Sequence, residues 1–143
     1  MKVTALPFNR FLGLEPAAPG SGFLVSLPGL PQYTNHLGTV HASALLAVAE
    51  AGSGELLLRH FIDASEYVPV VRRLEAKFRT PATGRISARA SLAADEFERL
   101  KGDLALKGRA QIRVHVDVVD ESGAVALVAV VEWFIVRSAK EGA

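Results

Sequence analysis

The chain has 143 residues, 50% of them hydrophobic and 22% charged, with a formal net charge of +1 and no cysteine. That is enough for one domain with a full core and too little for two. Acids and bases are interleaved, so no basic block points to nucleic acid, and disulfides and cysteine metal sites are excluded.

The first residues, MKVTALPFNRFLGLE, are too broken by Pro7, Asn9 and Arg10 for a secretion signal. No apolar run approaches the roughly 20 residues of a membrane span. The cytoplasm is the expected location. Apolar spacing from Pro7 to Leu14 predicts a short helix, ended by EPAAPGSG. GFLVSLP is a strand closed by Pro28 and Gly29. After the loop LPQYTNHLGT, a long helix runs from about Val40 to His60. It is apolar almost all round, as a helix buried on the concave side of a curled sheet would be. Gly52 and Gly54 interrupt it at about 1 kcal/mol each against alanine, which points to close approach by another backbone or a ligand.

From Tyr67 the period becomes two. In VPVVRRLEAKFRT, Arg72 breaks an inner row that Leu74, Ala76 and Phe78 continue, with Arg73, Glu75, Lys77 and Arg79 opposite. PATG turns into RISARASLA, where Ile86, Ala88, Ala90 and Leu92 face inward and Arg85 and Arg89 outward. DEFERLKGDLAL is a helical insertion with Asp95 as N-cap and Glu98 as the capping-box acid. RAQIRVHVDVV alternates cleanly, DESG turns the chain, and AVALVAVVEWFIV returns as a nearly continuous apolar strand. The order predicts a single α+β domain over residues 1–143. One antiparallel sheet of about five strands curls around one long central helix.

The pattern N-x-x-G-x-x-H-A holds Asn35, Gly38 and His41, and A-L-L-A-V-A-E places Glu50 at its end. FRTPATGRISARA follows as strand, Pro-Ala-x-Gly and strand. With these residues the chain resembles the hotdog-fold acyl-CoA thioesterases, especially the phenylacetate-pathway-like and related uncharacterised branches. The resemblance runs from about Phe8 to Val136 and implies the hotdog fold. Ala42 departs from it, replacing the glycine that commonly follows the histidine. So does Gly54, which stands where some members carry a Ser or Thr that assists the acid, with Ser53 one position off.

Thioester hydrolysis needs an activated water or a carboxylate nucleophile, and donors aimed at the developing oxyanion. Glu50 is the candidate for the first role, because small apolar neighbours would raise its pKa towards a working value. A solvated helix glutamate is the plain alternative. The helix start supplies free N–H groups for the second role, and the resemblance puts the polarising one on Ala42. Asn35 is either a side-chain donor to the thioester carbonyl or a turn residue. His41 either contacts the thioester or is a structural histidine held by a loop carbonyl. Gly38 and Ser53 are candidate substrate contacts. Arg79 and Arg85, in a basic row with Arg73, Lys77 and Arg89, either meet coenzyme A phosphates or form a solvated or dimer-packed face.

The four histidines show no zinc-ligand spacing, and the implied chemistry needs no metal and no cofactor beyond the coenzyme A of the substrate. Glu50 lies eight residues beyond Ala42, roughly 12 Å along the helix. One chain therefore cannot bring its own acid and its own helix start to one carbon. A homodimer with shared sites is expected, either alone or paired into a homotetramer, with Gly52 and Gly54 easing the seam. Two other functions fit the same residues: a hydroxyacyl-thioester dehydratase leaning on His41, and a non-catalytic acyl-CoA-binding module.

Overall fold

The structure, a computed structural model, describes residues 1–60 and 62–139. The expectation of one domain over 1–143 extends past these at Phe61 and at residues 140–143. Helix α1 spans Pro7–Leu12; Pro7 sits where its missing N–H costs nothing, and Gly13 closes the helix at φ +86°. Helix α2 spans Ala42–His60. Helix α3 spans Ala94–Lys107 and is the expected insertion, with a different start. Its N-cap is Ala93, which makes no side-chain hydrogen bond, and Asp95 lies inside the first turn. Asp95 is thus not the cap; its charge still suits the positive end of the helix.

Six strands form one antiparallel sheet: β1 (Glu15–Pro16), β2 (Val25–Leu27), β3 (Tyr67–Phe78), β4 (Ile86–Ser91), β5 (Arg109–Val119) and β6 (Val125–Arg137). Their spatial order is β1-β2-β4-β5-β6-β3. In β5 the sequence alternation is the burial pattern: Ala110, Ile112, Val114, Val116 and Val118 face the core between exposed Arg109, Gln111, Arg113 and His115. The sheet curls around α2, which packs on β2, β4, β5 and β6. This is the hotdog arrangement that the resemblance implied. The sixth strand, β1, is two residues long and carries a proline, so no pattern announced it. No helix among the described residues is long and apolar enough to cross a membrane.

Two local expectations change with the strand order. PATG does not turn β3 onto β4, because β6 and β5 lie between them. The segment 79–84 instead crosses the end of the β5–β6 hairpin, with Arg79 N–H donating to Ala126 O and Glu121 N–H to Thr83 O. The arginines of β3 and β4 therefore do not form one row. Arg73 pairs with Glu75, Arg85 with Glu15 at 2.7 Å and Arg89 with Asp117 at 3.1 Å. Arg72 does interrupt the strand: the register against β6 shifts between Val71 and Arg73, leaving Arg72 as the extra residue of a bulge.

The crossing is fastened by Asp120, which is 8% exposed. Its Oδ1 accepts from Ser122 N–H, Ser122 Oγ and Ala124 N–H, and its Oδ2 from Thr83 N–H at 3.1 Å. Burial alone would raise its pKa, but these donors outweigh it and hold the carboxyl below its ordinary value. Asp120→Ala removes the shared acceptor of these four part-buried hydrogen bonds, and a loss of about 2 kcal/mol of stability is expected by denaturant unfolding. A depressed pKa contributes stability above the unfolded-chain value, lost as pH falls through the folded one. The gap between wild type and Asp120→Ala should therefore close on acidification below pH 3.8.

Candidate active site

Glu50 sits in the third turn of α2, half-buried, with Ala49 and Ala51 buried on either side. Its carboxylate has no hydrogen-bond or ion-pair partner among the described residues and lines a cleft of about 410 Å³. The N-terminal segment, α2 and the inner face of β3 and β6 wall this cleft, and its lining is mostly apolar. Desolvation raises the Glu50 pKa above its ordinary 4.5. A glutamate on a solvated helix face would not be shifted in this way.

The direction in which Glu50 points is set from the sheet. Trp133 Nε1 donates to Ser53 Oγ at 2.9 Å, and Ser53 Oγ donates to the Glu50 carbonyl at 2.7 Å. Ser53 is fully buried, and its hydroxyl is a strut between helix and sheet. The signal missed in the sequence was a lone tryptophan on an otherwise aliphatic strand, whose indole N–H needs a buried acceptor. The interrupting glycines also serve the chain itself. A Cβ on Gly52 would come within 2.6 Å of Ala88 Cβ, and one on Gly54 within 3.3 Å of the Trp133 ring. Gly52 lets α2 approach β4, and Gly54 makes room beside the indole.

The helix start lies elsewhere. His41 caps α2: its carbonyl accepts Leu45 N–H at 3.2 Å, and its Nδ1 accepts Ser43 N–H at 3.0 Å. That bond requires a bare Nδ1, so a neutral ring carries its proton on Nε2. Ala42, the first residue of the helix, is exposed. Asn35 is occupied as a turn residue: its Oδ1 accepts from Leu37 N–H and Thr39 N–H, and its Nδ2 donates to Thr39 Oγ1. Gly38, at φ +77°, completes that turn. It borders a separate cavity of about 290 Å³ with Leu30, Tyr33, Val40 and Gly84. Within one chain, Asn35, His41 and Ala42 therefore do not line the Glu50 cleft, and Gly38 lines the other cavity. Arg79 and Arg85 are exposed and border neither cavity. Among the described residues, no group of three or more His, Asp or Glu could hold a metal ion.

A family model described as a domain of unknown function, DUF4442, matches residues 18–135. Among solved structures, the chain is similar to a Pseudomonas aeruginosa protein of unknown function described as a probable thioesterase. The two share 27% identity over 95% of this chain and 91% of that one, with a TM-score of 0.79. A thioesterase from Haemophilus influenzae is 15% identical over 99% of this chain and 90% of that one, with a TM-score of 0.73. A Bacillus halodurans protein crystallised with CoA is 20% identical over 78% of this chain and 66% of that one, with a TM-score of 0.62. Among curated proteins, none matches.

A carboxyl whose folded pKa is raised destabilises the fold once the unfolded chain ionises and the folded one resists. Glu50→Gln should therefore be as stable as wild type below pH 4.5 and more stable above it. The gain should grow until Glu50 ionises in the folded state and then level off. Thermal melts of both proteins at stepped pH measure this directly; a constant difference would remove the desolvated carboxyl.

Proposed function

The chain belongs to the DUF4442 family, and from that premise we propose an acyl-CoA thioesterase in which Glu50 is the general base or the nucleophile. The observation that carries the reading is a single unpartnered carboxylate facing an apolar cleft of ligand size on the central helix of a hotdog fold. The names of the similar proteins, a probable thioesterase, a thioesterase and a CoA-bound protein, support the same chemistry. As base, Glu50 takes a proton from water, the hydroxide adds to the thioester carbonyl, and the C–S bond breaks. The leaving thiolate then receives the proton from the Glu50 carboxyl. As nucleophile, the carboxylate displaces the thiolate, which leaves as the thiol after taking a proton from solvent. The acyl anhydride formed is then cleaved by water to the free acid and the Glu50 carboxylate. The Ala42 N–H at the positive end of α2 is the proposed oxyanion donor. Asn35 and His41 hold the shape of that helix start and take no proton in this scheme.

The proposed assembly is a homodimer in which Glu50 of one chain faces Ala42 of the other, within one hotdog domain per chain. Strand β3 supports this seam. It is a twelve-residue strand at the edge of the sheet, with Val68, Val70 and Val71 exposed and also lining the Glu50 cleft. The apolar first part of this edge is a surface for pairing, and a partner placed there would lie beside Glu50. A non-catalytic acyl-CoA-binding module is the second reading, favoured by the engagement of Asn35 and Ser53 within the fold.

Turnover of acyl-CoA panels, followed with a thiol reagent, tests the proposal. Glu50→Gln should lose activity by about 100-fold or more, and wild-type kcat/KM should rise with pH through a limb above 4.5. Thioester binding by a protein that turns over no member of the panel would favour the binding module. The shared site has its own test. Ala42→Pro removes the donor at a helix position that tolerates proline, and it should be inactive. Mixing it with Glu50→Gln under subunit exchange should restore about a quarter of wild-type activity, because half of the dimers hold one intact site. No recovery despite demonstrated exchange would contradict the shared site.

A further inference from the structure

We infer that the Glu50 cleft is a gauge for an uncharged, apolar acyl group, and that the first nine residues of the chain set its depth; the inference rests on the thioesterase reading of Glu50. Its walls include Val3 and Leu6 from the N-terminal segment, Gly54 and Leu58 from α2, and Val71 and Trp133 from the sheet. Among the described residues, neither lysine, arginine nor histidine lines it, and Glu50 is the one side-chain carboxylate that does. The exposed amino group of Met1 acts on Asp63, whose pKa it helps to lower. A carboxylate at the far end of an acyl chain would leave water and find no side-chain cation among the described lining residues. A methylene entering the same space gains the full benefit of apolar burial.

The N-terminal segment is a fixed wall, although chain ends generally fray. Val3 is 3% exposed and Asn9 4%. The Asn9 Nδ2 donates to the Val3 carbonyl at 2.9 Å, tying the 3-10 turn Val3–Ala5 back onto α1. The Asn9 carbonyl meanwhile accepts the N–H groups of Gly13 and Leu14, which closes the helix behind it. Val3 then reaches over Gly54, where an added Cβ would lie 3.8 Å from Val3 Cγ2. Gly54 is one helical turn beyond Glu50 and on the same face. The indole and Val3 thus both border the glycine position one turn beyond the acid.

Trp133 is the only tryptophan of the chain and lines the cleft, so its fluorescence reports occupancy without any reaction. Straight-chain methyl ketones of increasing length, and the same ketones bearing a terminal carboxylate, are the probes. Matching acyl-CoA thioesters are assayed for turnover in parallel. Affinity for the neutral ketones should rise about fourfold per methylene to a length limit, with the carboxylated ketones about 100-fold weaker. Val3→Ala, and Leu6→Ala at a more exposed wall position, should each move the limit to longer chains, with melting curves establishing the fold. Equal affinity for charged and neutral ketones, or an unmoved limit in both folded variants, would overturn the gauge. Selective binding without turnover of any thioester would support the gauge and overturn the hydrolase reading. Turnover indifferent to chain length and charge would do the reverse.

Discussion

A helix that is apolar on every side can be buried at many rotations about its axis, so burial alone does not decide where α2 points Glu50. Two short-range constraints decide it. Gly52 brings α2 close to Ala88 of β4, where any side chain would collide, and the Trp133 indole donates to Ser53, which in turn donates to the Glu50 carbonyl. Away from water these bonds are directional and costly to leave unmade. Together they turn the helix so that Ala49 and Ser53 face the interior while Glu50 and Gly54 open on the cleft. The rest of the proposed chemistry follows from that one rotation.

The sheet supplies the complement. Its curl encloses α2 from β2 to β6, yet β3 lies beyond the helix at the edge, and Ala76 and Phe78 stay exposed although they pair with the inward row of β6. An inner row that its own chain does not cover, next to a cleft holding a raised-pKa acid, is the arrangement in which a second copy adds most. The helix start cannot reach Glu50 along the rigid axis of its own helix. The same geometry that buries the acid thus separates it from the proposed oxyanion donor, and the proposed two-fold pairing would reunite them.

Much of this was legible in the residues. The alternation of RAQIRVHVDVV fixed the faces of β5, the Ala/Leu composition of α2 announced central burial, and Glu50 stood out because nothing polar surrounded it. What escaped was long-range. Strand order is invisible to periodicity, so PATG looked like a hairpin turn and the arginines of β3 and β4 like neighbours. Asp120 read as one residue of an ordinary turn, since its bond to Thr83 spans 37 positions. The bond that engages Ser53 comes from Trp133, 80 positions away. Asn35 carried both of its readings in the sequence, and its contacts to Leu37 and Thr39 show the turn.

The central claim is that Glu50 is a carboxyl withdrawn from water without a counter-charge, and a carbon-13 NMR titration of the glutamate side-chain carboxyls addresses it most directly. Glu50→Gln assigns the resonance by its disappearance. The account predicts one glutamate titrating clearly above 4.5, in the resting protein with no ligand added. A Glu50 resonance that titrates at or below that ordinary value would contradict the account, because a solvated or paired carboxylate could not be the acid described here.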